Sequence, residues 1–383
     1  MRVVVIGAGV MGASVAWHLT SRGCRDVLVL DRASRPGGGS TSRATGGFRA
    51  QYATAINVRL SLLARAKLRR FRDEVGGDCG YLPAGYLWLA SSEPELQALD
   101  AARVVQHAEG LREAHGVAPT DIAAINPLVA TEGLVGGAFC PTDGFVSPMG
   151  VLTGYLESAV RAGARVQWDT DVRGIERRGE RACAVQTAAE RIEADAVVNA
   201  AGAWAADVGA AAGIDVRVQP LRRQVASTVP TPRVPPSTPM TIFTQDGFHF
   251  RERDGRVLLL RPSPASAKAP FAVNVEDDWV NGVSAAARQR VPLLRDVAID
   301  RPACWAGLYE MSPDRHAILG PTPHCPNLFL INGSSGHGVM HAPALGHLLA
   351  EIILDGHAST IDTRPLRPSR FEEQDSNPVS ELL

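Results

Sequence analysis

The sequence lacks the surplus charge and the long apolar runs that nucleic acid or a membrane would require. Its 39 Lys and Arg residues nearly balance 40 Asp and Glu residues, for a formal net charge of −1, so no global field attracts polyanions. No apolar run approaches the ~20 residues of a membrane span. Met1 and Arg2 lead straight into a strand-like segment with no signal-peptide pattern. We therefore expect no nucleic-acid partner, no membrane span and a cytoplasmic location.

Paired cysteine motifs, internal repeats and low-complexity segments are also missing. The six cysteines are scattered without a C-x-x-C spacing, which argues against zinc or another bound metal and favours reduced thiols. What is present is an ordinary globular composition, with 45% hydrophobic and 21% charged residues. A chain of 383 residues exceeds the size at which one core keeps growing, so two domains are expected.

The N-terminal segment has the order strand, glycine loop, helix, strand. Residues 3–6 and 27–30 are short β-branched runs of the kind buried in a parallel sheet, and residues 10–22 have helical spacing. Between the first strand and the helix lies a G-x-G-x-x-G motif, in which glycines allow a tight turn and a close approach to a diphosphate at the helix N-terminus. An acid at the end of the second strand is placed to bind a ribose. The predicted contacts are Gly7, Gly9, Val10, Met11, Gly12, Asp31 and Arg32.

Two further segments favour FAD over a nicotinamide cofactor, and a third could act on a flavin. Residues 37–47 are rich in glycine and serine, residues 199–204 end a strand with small side chains, and residues 333–340 repeat the order strand, glycine loop, helix. The first two could meet the phosphates and ribityl chain of a longer cofactor, and the third could stabilise negative charge on a reduced flavin. The predicted contacts in these segments are Gly39, Ser40, Thr41, Ser42, Arg43, Gly46, Gly47, Ala201, Gly202, Trp204, Gly336, His337, Gly338, Val339 and Met340. Val172 and Gly307 are predicted as two further contacts outside them.

The α/β pattern recurs in three separated parts of the chain. It covers residues 1–80, 147–213 and 312–362, while residues 81–146 and 214–311 contain short strands and proline-rich turns. We expect an α/β fold with a discontinuous Rossmann-like FAD-binding domain and an inserted α+β substrate domain built on an antiparallel sheet. Residues 363–383 are predicted to form a C-terminal tail.

Five segments of the chain resemble the D-amino-acid oxidase and glycine oxidase superfamily. In chain order they are VVVIGAGVMGASVAWHL, GGGSTSRATGGFRAQY, DAVVNAAGAWA, WAGLYEMSPDRHAILG and SSGHGVMHAPALG. The branch of the sarcosine oxidase β-subunit and the L-proline dehydrogenase β-subunit is the most similar. The resemblance extends from Met1 to about Leu354 and implies a flavoenzyme that oxidises amines or amino acids.

The resemblance also implies roles for individual residues. Arg49 matches an arginine that binds the substrate carboxylate, Tyr309 a tyrosine beside the flavin, and His249 lies on a strand that contributes to the substrate pocket. Two positions depart from the pattern of the monomeric sarcosine oxidases. Gly307 replaces a flavin-linking cysteine, to which Cys304 is near but offset, so noncovalent FAD is expected. Met340 replaces a lysine, so a second cation for the carboxylate is expected to be missing.

The predicted reaction is hydride transfer from the α-carbon of a small amino acid or N-methyl amino acid, such as sarcosine, proline or glycine, to flavin N5, giving an imine. Oxygen or an electron-acceptor protein would take the electrons, and further subunits of a hetero-oligomer are conceivable partners. Three alternatives stay open from the sequence. They are oxidation of a larger amine in a biosynthetic pathway, an NAD(P)-dependent amino-acid dehydrogenase, and a flavin-binding subunit without turnover.

Overall fold

The computed structural model describes residues 1–263 and 269–379, which contain both strands and helices. The strands, in chain order, are β1 (Arg2–Ile6), β2 (Asp26–Leu30), β3 (Gly47–Phe48), β4 (Tyr86–Ala90), β5 (His115–Val117), β6 (Gly136–Cys140), β7 (Gly144–Phe145), β8 (Arg165–Gln167), β9 (Val172–Arg178), β10 (Arg181–Thr187), β11 (Arg191–Glu193), β12 (Ala196–Asn199), β13 (Gln219–Ser227), β14 (Met240–Phe243), β15 (His249–Arg253), β16 (Arg256–Leu260), β17 (Trp305–Met311), β18 (Ile318–Thr322) and β19 (Cys325–Asn332).

The helices belong to both the cofactor-binding and the inserted parts of the chain. In chain order they are α1 (Val10–Ser21), α2 (Ala55–Arg69), α3 (Phe71–Glu74), α4 (Glu93–Ala108), α5 (Ile122–Ile125), α6 (Pro148–Arg161), α7 (Ala205–Ala210), α8 (Asp277–Arg290) and α9 (Gly338–Asp355).

A six-stranded sheet forms the first layer, in the order β18-β19-β12-β1-β2-β8. Its strands are parallel except β18, which is antiparallel to β19. Alternate residues of β1 face opposite ways: Val3 and Val5 join the core with α1, α6 and α9, whereas Val4 and Ile6 join the core with the three-stranded sheet β11-β10-β9. Burial on both faces explains why the predicted strands are continuous apolar runs rather than alternating ones.

An eight-stranded sheet, β17-β13-β16-β15-β14-β4-β6-β5, forms the second layer. Most of its pairs are antiparallel, but β14 pairs with β4 in parallel, so the sheet is mixed rather than purely antiparallel. The two layers confirm the predicted α/β class with parallel and antiparallel sheets. The carboxyl ends of four strands of the first sheet lie between the two layers; they are the ends of β1, β2, β12 and β19. Ligands of open α/β sheets bind at this edge.

Two helices of the chain end at turns. The helix α2 ends at Arg69 and is followed by the short α3, and the helix α4 ends at Ala108. Gly110 follows the second helix at φ +97°, a conformation that glycine adopts without steric cost and that ends the helical run. Among the described residues, no helix is long and apolar enough to cross a membrane.

The segment predicted as a C-terminal tail packs against the body of the protein as far as it is described. Arg370 is fully buried and donates two hydrogen bonds of 2.9 Å to the carboxylate of Asp314, which is 2% exposed. Asn377 donates to the same carboxylate through its backbone N–H and its side-chain amide. Arg370 holds the pKa of Asp314 down to about 2, so this pair stays ionised at neutral pH.

Candidate active site

A cavity of about 590 Å³ lies between the two layers. At one end it is walled by the loops after β1, β2 and β12, together with residues 37–47. At the other end it is walled by side chains of the eight-stranded sheet and by the N-terminus of α9. The cavity therefore joins the predicted nucleotide groove to the predicted substrate pocket.

The glycine motif forms the turn from β1 into α1. Gly7 has φ +108°, and a Cβ there would lie 2.4 Å from the carbonyl oxygen of Ala200. A Cβ on Gly12 would lie 1.9 Å from the carbonyl oxygen of Gly7, so Gly12 lets the helix pack against the turn. A Cβ on Gly9 would contact only Thr41 Oγ1, at 3.6 Å. Gly9 thus leaves space on the cavity side, at the positive end of α1.

Asp31 has a structural role as well as the predicted ligand role. Its Oδ2 accepts the backbone N–H of Ala8 at 2.7 Å, and its Oδ1 accepts the backbone N–H of Ala33 at 2.8 Å. These bonds fix the glycine turn to the end of β2. Each carboxylate oxygen keeps a further lone pair, so Asp31 can still accept from a hydroxyl in the cavity.

The structure brings nearly all of the predicted residues to this one cavity. Two predicted cofactor contacts lie outside its wall. Gly12 lies beneath the turn, and the hydroxyl of Ser42 donates to the carbonyl of Gly37 at 2.6 Å. The predicted residues in the wall are Gly7, Gly9, Val10, Met11, Asp31, Arg32, Gly39, Ser40, Thr41, Arg43, Gly46, Gly47, Arg49, Val172, Ala201, Gly202, Trp204, His249, Gly307, Tyr309, Gly336, His337, Gly338, Val339 and Met340.

Arg49 lies 4% exposed in the substrate end of the cavity. Its guanidinium stacks on the ring of Tyr52 at 4.0 Å and donates to the carbonyl of Gln51 at 2.6 Å. Nη2 lies 3.2 Å from Nε2 of His337. The buried carboxylate of Asp143 accepts the backbone N–H of Ala50 at 2.8 Å and so fixes the loop that carries the arginine. Arg49 has no carboxylate partner within the described residues, and its unused N–H groups can bind an anion.

Both histidines near Arg49 are neutral acceptors. Burial, together with the positive charge of Arg49, lowers the pKa of His337 well below its usual value. Burial, with smaller contributions from Arg223 and Arg49, lowers the pKa of His249 to about 4. In His249, Nδ1 lies 2.8 Å from the carbonyl oxygen of Gly247, so Nδ1 carries the proton and Nε2 is an acceptor. Neutral His249 can accept an N–H from a substrate.

Tyr309 faces the same end of the cavity, and its pKa is raised by burial against the opposing effect of Arg223 and Arg49. A Cβ on Gly336 would lie 2.4 Å from the Tyr309 ring, so the glycine loop before α9 packs directly on the tyrosine. The ring is held in place by this contact, and its hydroxyl stays protonated at neutral pH.

The charged residues of the cavity wall that sequence reasoning missed include Arg223 and Glu310. Arg223 is one of two consecutive arginines in β13. Alternation shows that one of them points to each face, but not which face meets the ligand. Glu310 follows Tyr309 in the segment WAGLYEMSPDRHAILG, and no local pattern marks its acidic side chain as a ligand.

Glu310 offers a test of whether the cavity suits FAD. Its Oε1 accepts from the backbone N–H and the hydroxyl of Ser334, but its buried Oε2 has no hydrogen-bond partner among the described residues. A Cβ on Gly202 would lie 3.9 Å from this Oε2, which places it on the cavity side of the Gly202 loop. A buried unpaired carboxylate oxygen calls for a donor, and FAD is rich in hydroxyl groups. The glycine turn, Asp31 and Glu310 together fit the cofactor.

A Glu310→Gln substitution is expected to stabilise the cofactor-free protein more at high pH than at low pH. Burial raises the pKa of Glu310 from 4.5 to about 7, so the folded state retains a proton that the unfolded chain releases. The contribution of Glu310 to the free energy of unfolding is therefore fully present below about pH 4.5. It falls by about 3 kcal/mol as the pH rises to about 7. Urea unfolding of both proteins between about pH 5 and about pH 8 measures the difference.

The exposed Glu132→Gln is the matched control for this substitution and should show no such trend. Adding FAD should shrink the pH-dependent difference, because a hydroxyl donor would compensate the carboxylate. A difference that is independent of pH would show that Glu310 already has a donor in the folded protein.

Cys304 lies outside the cavity wall, and its thiol lies 3.4 Å from the carbonyl oxygen of Asp300. Gly307 occupies the wall instead, where a Cβ would lie 2.9 Å from Cβ of Arg43. Cys304 therefore does not face the cavity, and noncovalent binding of FAD stays a prediction.

Comparison with known proteins agrees with this geometry. The profile of the DAO family, FAD dependent oxidoreductase, matches residues 2–352. FAD-dependent oxidoreductase domain-containing protein 1 of Bos taurus is 29% identical over 96% of this chain and 84% of its own length. Glycine oxidase of Geobacillus kaustophilus is 28% identical over 92% of each chain. The crystal structure of L-proline dehydrogenase from P. horikoshii superposes with a TM-score of 0.90 at 27% identity, covering 98% of this chain and 99% of that one. With FAD as its cofactor rather than a nicotinamide, the chain belongs to the DAO family of FAD-dependent oxidoreductases.

Proposed function

We propose that this protein oxidises a small amino acid, or a secondary or N-methyl amino acid of the sarcosine, proline or glycine type, at the carbon beside the nitrogen. FAD-dependent amino-acid oxidation is the general activity that the relatives' names support, since they include a glycine oxidase and an L-proline dehydrogenase. One observation carries the assignment to this chain. The buried guanidinium of Arg49 lies in the cavity beside neutral His249 and Tyr309, without a carboxylate partner in the described residues.

The side chains around Arg49 suit a substrate that carries a carboxylate and an amine. Arg49 binds the carboxylate through the guanidinium N–H groups that Gln51 and His337 do not use. The positive charge of Arg49 disfavours an ammonium group and so favours binding of the amine as the free base. Neutral His249 can accept an amine N–H, which helps to orient the nitrogen lone pair.

FAD, when bound, supplies the acceptor for the hydride and its electron pair. As the α-C–H bond breaks, the nitrogen lone pair forms the second C–N bond, and water then adds to the resulting imine and releases an amine and a carbonyl product. Oxygen or an acceptor protein takes the two electrons. No side chain has to remove a proton from carbon, so the protein's own groups bind, orient and exclude water.

Anaerobic reduction of the bound FAD by a panel of amines tests this proposal. Sarcosine, proline, glycine, N-methyl amino acids and larger secondary amines are mixed with the purified yellow protein, and the loss of visible absorbance is followed. Bleaching by at least one amine that carries an α-carboxylate supports the proposal. Bleaching only by larger amines that lack one would show a different substrate. A bound FAD that no amine reduces would show a flavin-binding subunit.

A further inference from the structure

Arg223 places a second guanidinium in the cavity that holds Arg49. It lies on β13, opposite Gly307 of β17, two residues along from the pair formed by Leu221 and Tyr309. Its guanidinium carbon lies 5.6 Å from the centre of the Tyr309 ring, and Nη1 donates to the carbonyl of Ser263 at 2.9 Å. The Ser263 bond uses one of its five N–H donors, so Arg223 can bind a ligand as well.

The neighbouring Arg222 has a carboxylate partner, which Arg223 lacks among the described residues. Arg222 points to the other face of β13, where it is 6% exposed and forms an ion pair of 2.5 Å with Glu276. Arg223 has no such carboxylate partner within residues 1–263 and 269–379. Arg315 is a further cation near Arg223, and burial together with this like charge lowers the pKa of Arg223. A partly buried cation without a counter-ion favours a ligand that supplies the negative charge.

Arg49 and Arg223 both lie close enough to His249 and Tyr309 to lower the pKa of each. Arg49 is hydrogen-bonded to His337, the residue that precedes α9, and Arg223 stacks toward Tyr309, on which the loop before α9 packs. Met240 and Leu260, which also line the cavity, are apolar. The substrate end of the cavity therefore presents two guanidinium groups in a largely apolar surround. The sequence predicted that a second cation would be missing because Met340 replaces a lysine, whereas the structure supplies one from β13.

We propose that the substrate carries a second anionic group, a carboxylate, in addition to the α-carboxylate bound by Arg49. This inference rests on the proposed amino-acid oxidation and narrows its substrate class to amino dicarboxylates, either N-carboxyalkyl amino acids or amino acids with an acidic side chain. Arg223 binds the second carboxylate and so determines specificity without taking part in the redox step.

Binding of anions that cannot be oxidised tests the inference separately from turnover. Malonate, succinate and glutarate are titrated into the FAD-bound protein against propionate, butyrate and valerate, the monocarboxylates of equal chain length, and binding is read from the visible spectrum of the flavin. We expect at least one dicarboxylate to bind about tenfold or more tightly than its partner, a gain of about 1.4 kcal/mol. Arg223→Gln should remove that preference, and Arg223→Lys should keep part of it.

Arg261→Gln is the matched control, because Arg261 follows β16, pairs with Asp246 and lies outside the cavity wall. It should leave the preference unchanged. A wild-type protein that binds both series equally, or a preference that survives Arg223→Gln, would overturn the inference.

Measurements of FAD reduction by substrates distinguish a failure of this inference from a failure of the proposed function. Iminodiacetate and sarcosine differ by one carboxylate, and Arg223→Gln should weaken FAD reduction by iminodiacetate while changing reduction by sarcosine only slightly. If dicarboxylates bind through Arg223 but no amine reduces FAD, the proposed function fails and the anion site stands. If amines reduce FAD equally well in both proteins, the anion site fails and the proposed function stands.

Discussion

Replacing Arg49 with methionine is expected to leave the protein folded and yellow while raising the amino-acid concentration needed for half-maximal FAD reduction by about 30- to 3000-fold. Removing one partner of a buried hydrogen-bonded charge pair costs about 2–5 kcal/mol, and each 1.4 kcal/mol is about tenfold in affinity. Methionine retains the apolar contacts with Tyr52 and Trp88, on which the guanidinium stacks. Anaerobic stopped-flow reduction measures the change.

Arg49→Lys separates the charge of Arg49 from its geometry. Lysine keeps one positive charge but not the planar fork that binds a carboxylate through two parallel bonds, so it should recover only part of the loss. Arg253→Gln serves as the control, because Arg253 donates to the carbonyl of Ala44 and lies outside the cavity wall. Unchanged substrate affinity in Arg49→Met would show that another group binds the carboxylate.

Replacing Gly9 with alanine is expected to give a folded protein that has lost most of its FAD. The added methyl would contact little protein besides Thr41, and it would enter the space at the N-terminus of α1 where the diphosphate is expected. Overpacking of this kind costs about 1–3 kcal/mol, so FAD affinity should fall by about 5- to 150-fold. The ratio of flavin to protein absorbance after dialysis, with a fluorescence titration of FAD, measures it.

Substitutions at two other glycines serve as controls for Gly9→Ala. Gly282→Ala lies in α8 with nothing within 4 Å of the added methyl, and it should keep both FAD and stability. Gly12→Ala should lose folded protein as well as FAD, because its methyl would collide with the backbone of Gly7. A Gly9→Ala protein that retains FAD in full would place the diphosphate elsewhere.

Local features of the fold were predictable from the sequence, and long-range pairing was not. The first βαβ unit is folded by contacts within its own segment, so β1, α1 and β2 lie within one or two residues of their predicted bounds. The parallel pairing of β4 with β14 joins residues 86–90 to residues 240–243, and no local pattern records such a partner. The end of α2 at Arg69 also depends on packing, since Phe71 is buried in the same core.

Some residues of the candidate site were likewise predictable from local sequence patterns, and others could be identified only from the fold. Glycine loops next to strands and helices have a local signature, and the three loops that carry Gly9, Gly202 and Gly338 do meet in one cavity. The roles assigned to Arg49, His249 and Tyr309 stay predictions that the experiments above address. Arg223 and Glu310 could not be assigned from the sequence, because only the fold shows which face of each strand meets the cavity.

The order of strands in the six-stranded sheet has a consequence for biogenesis. Strand β1 has β12 as its neighbour, and β12 has β19, whose residues 325–332 are followed by α9 at Gly338. A ribosome synthesising this chain releases the diphosphate turn well before β19 and α9, which complete the wall of the pocket. Because such distant segments must meet before the sheet closes, we expect FAD to bind only after α9 has left the ribosome.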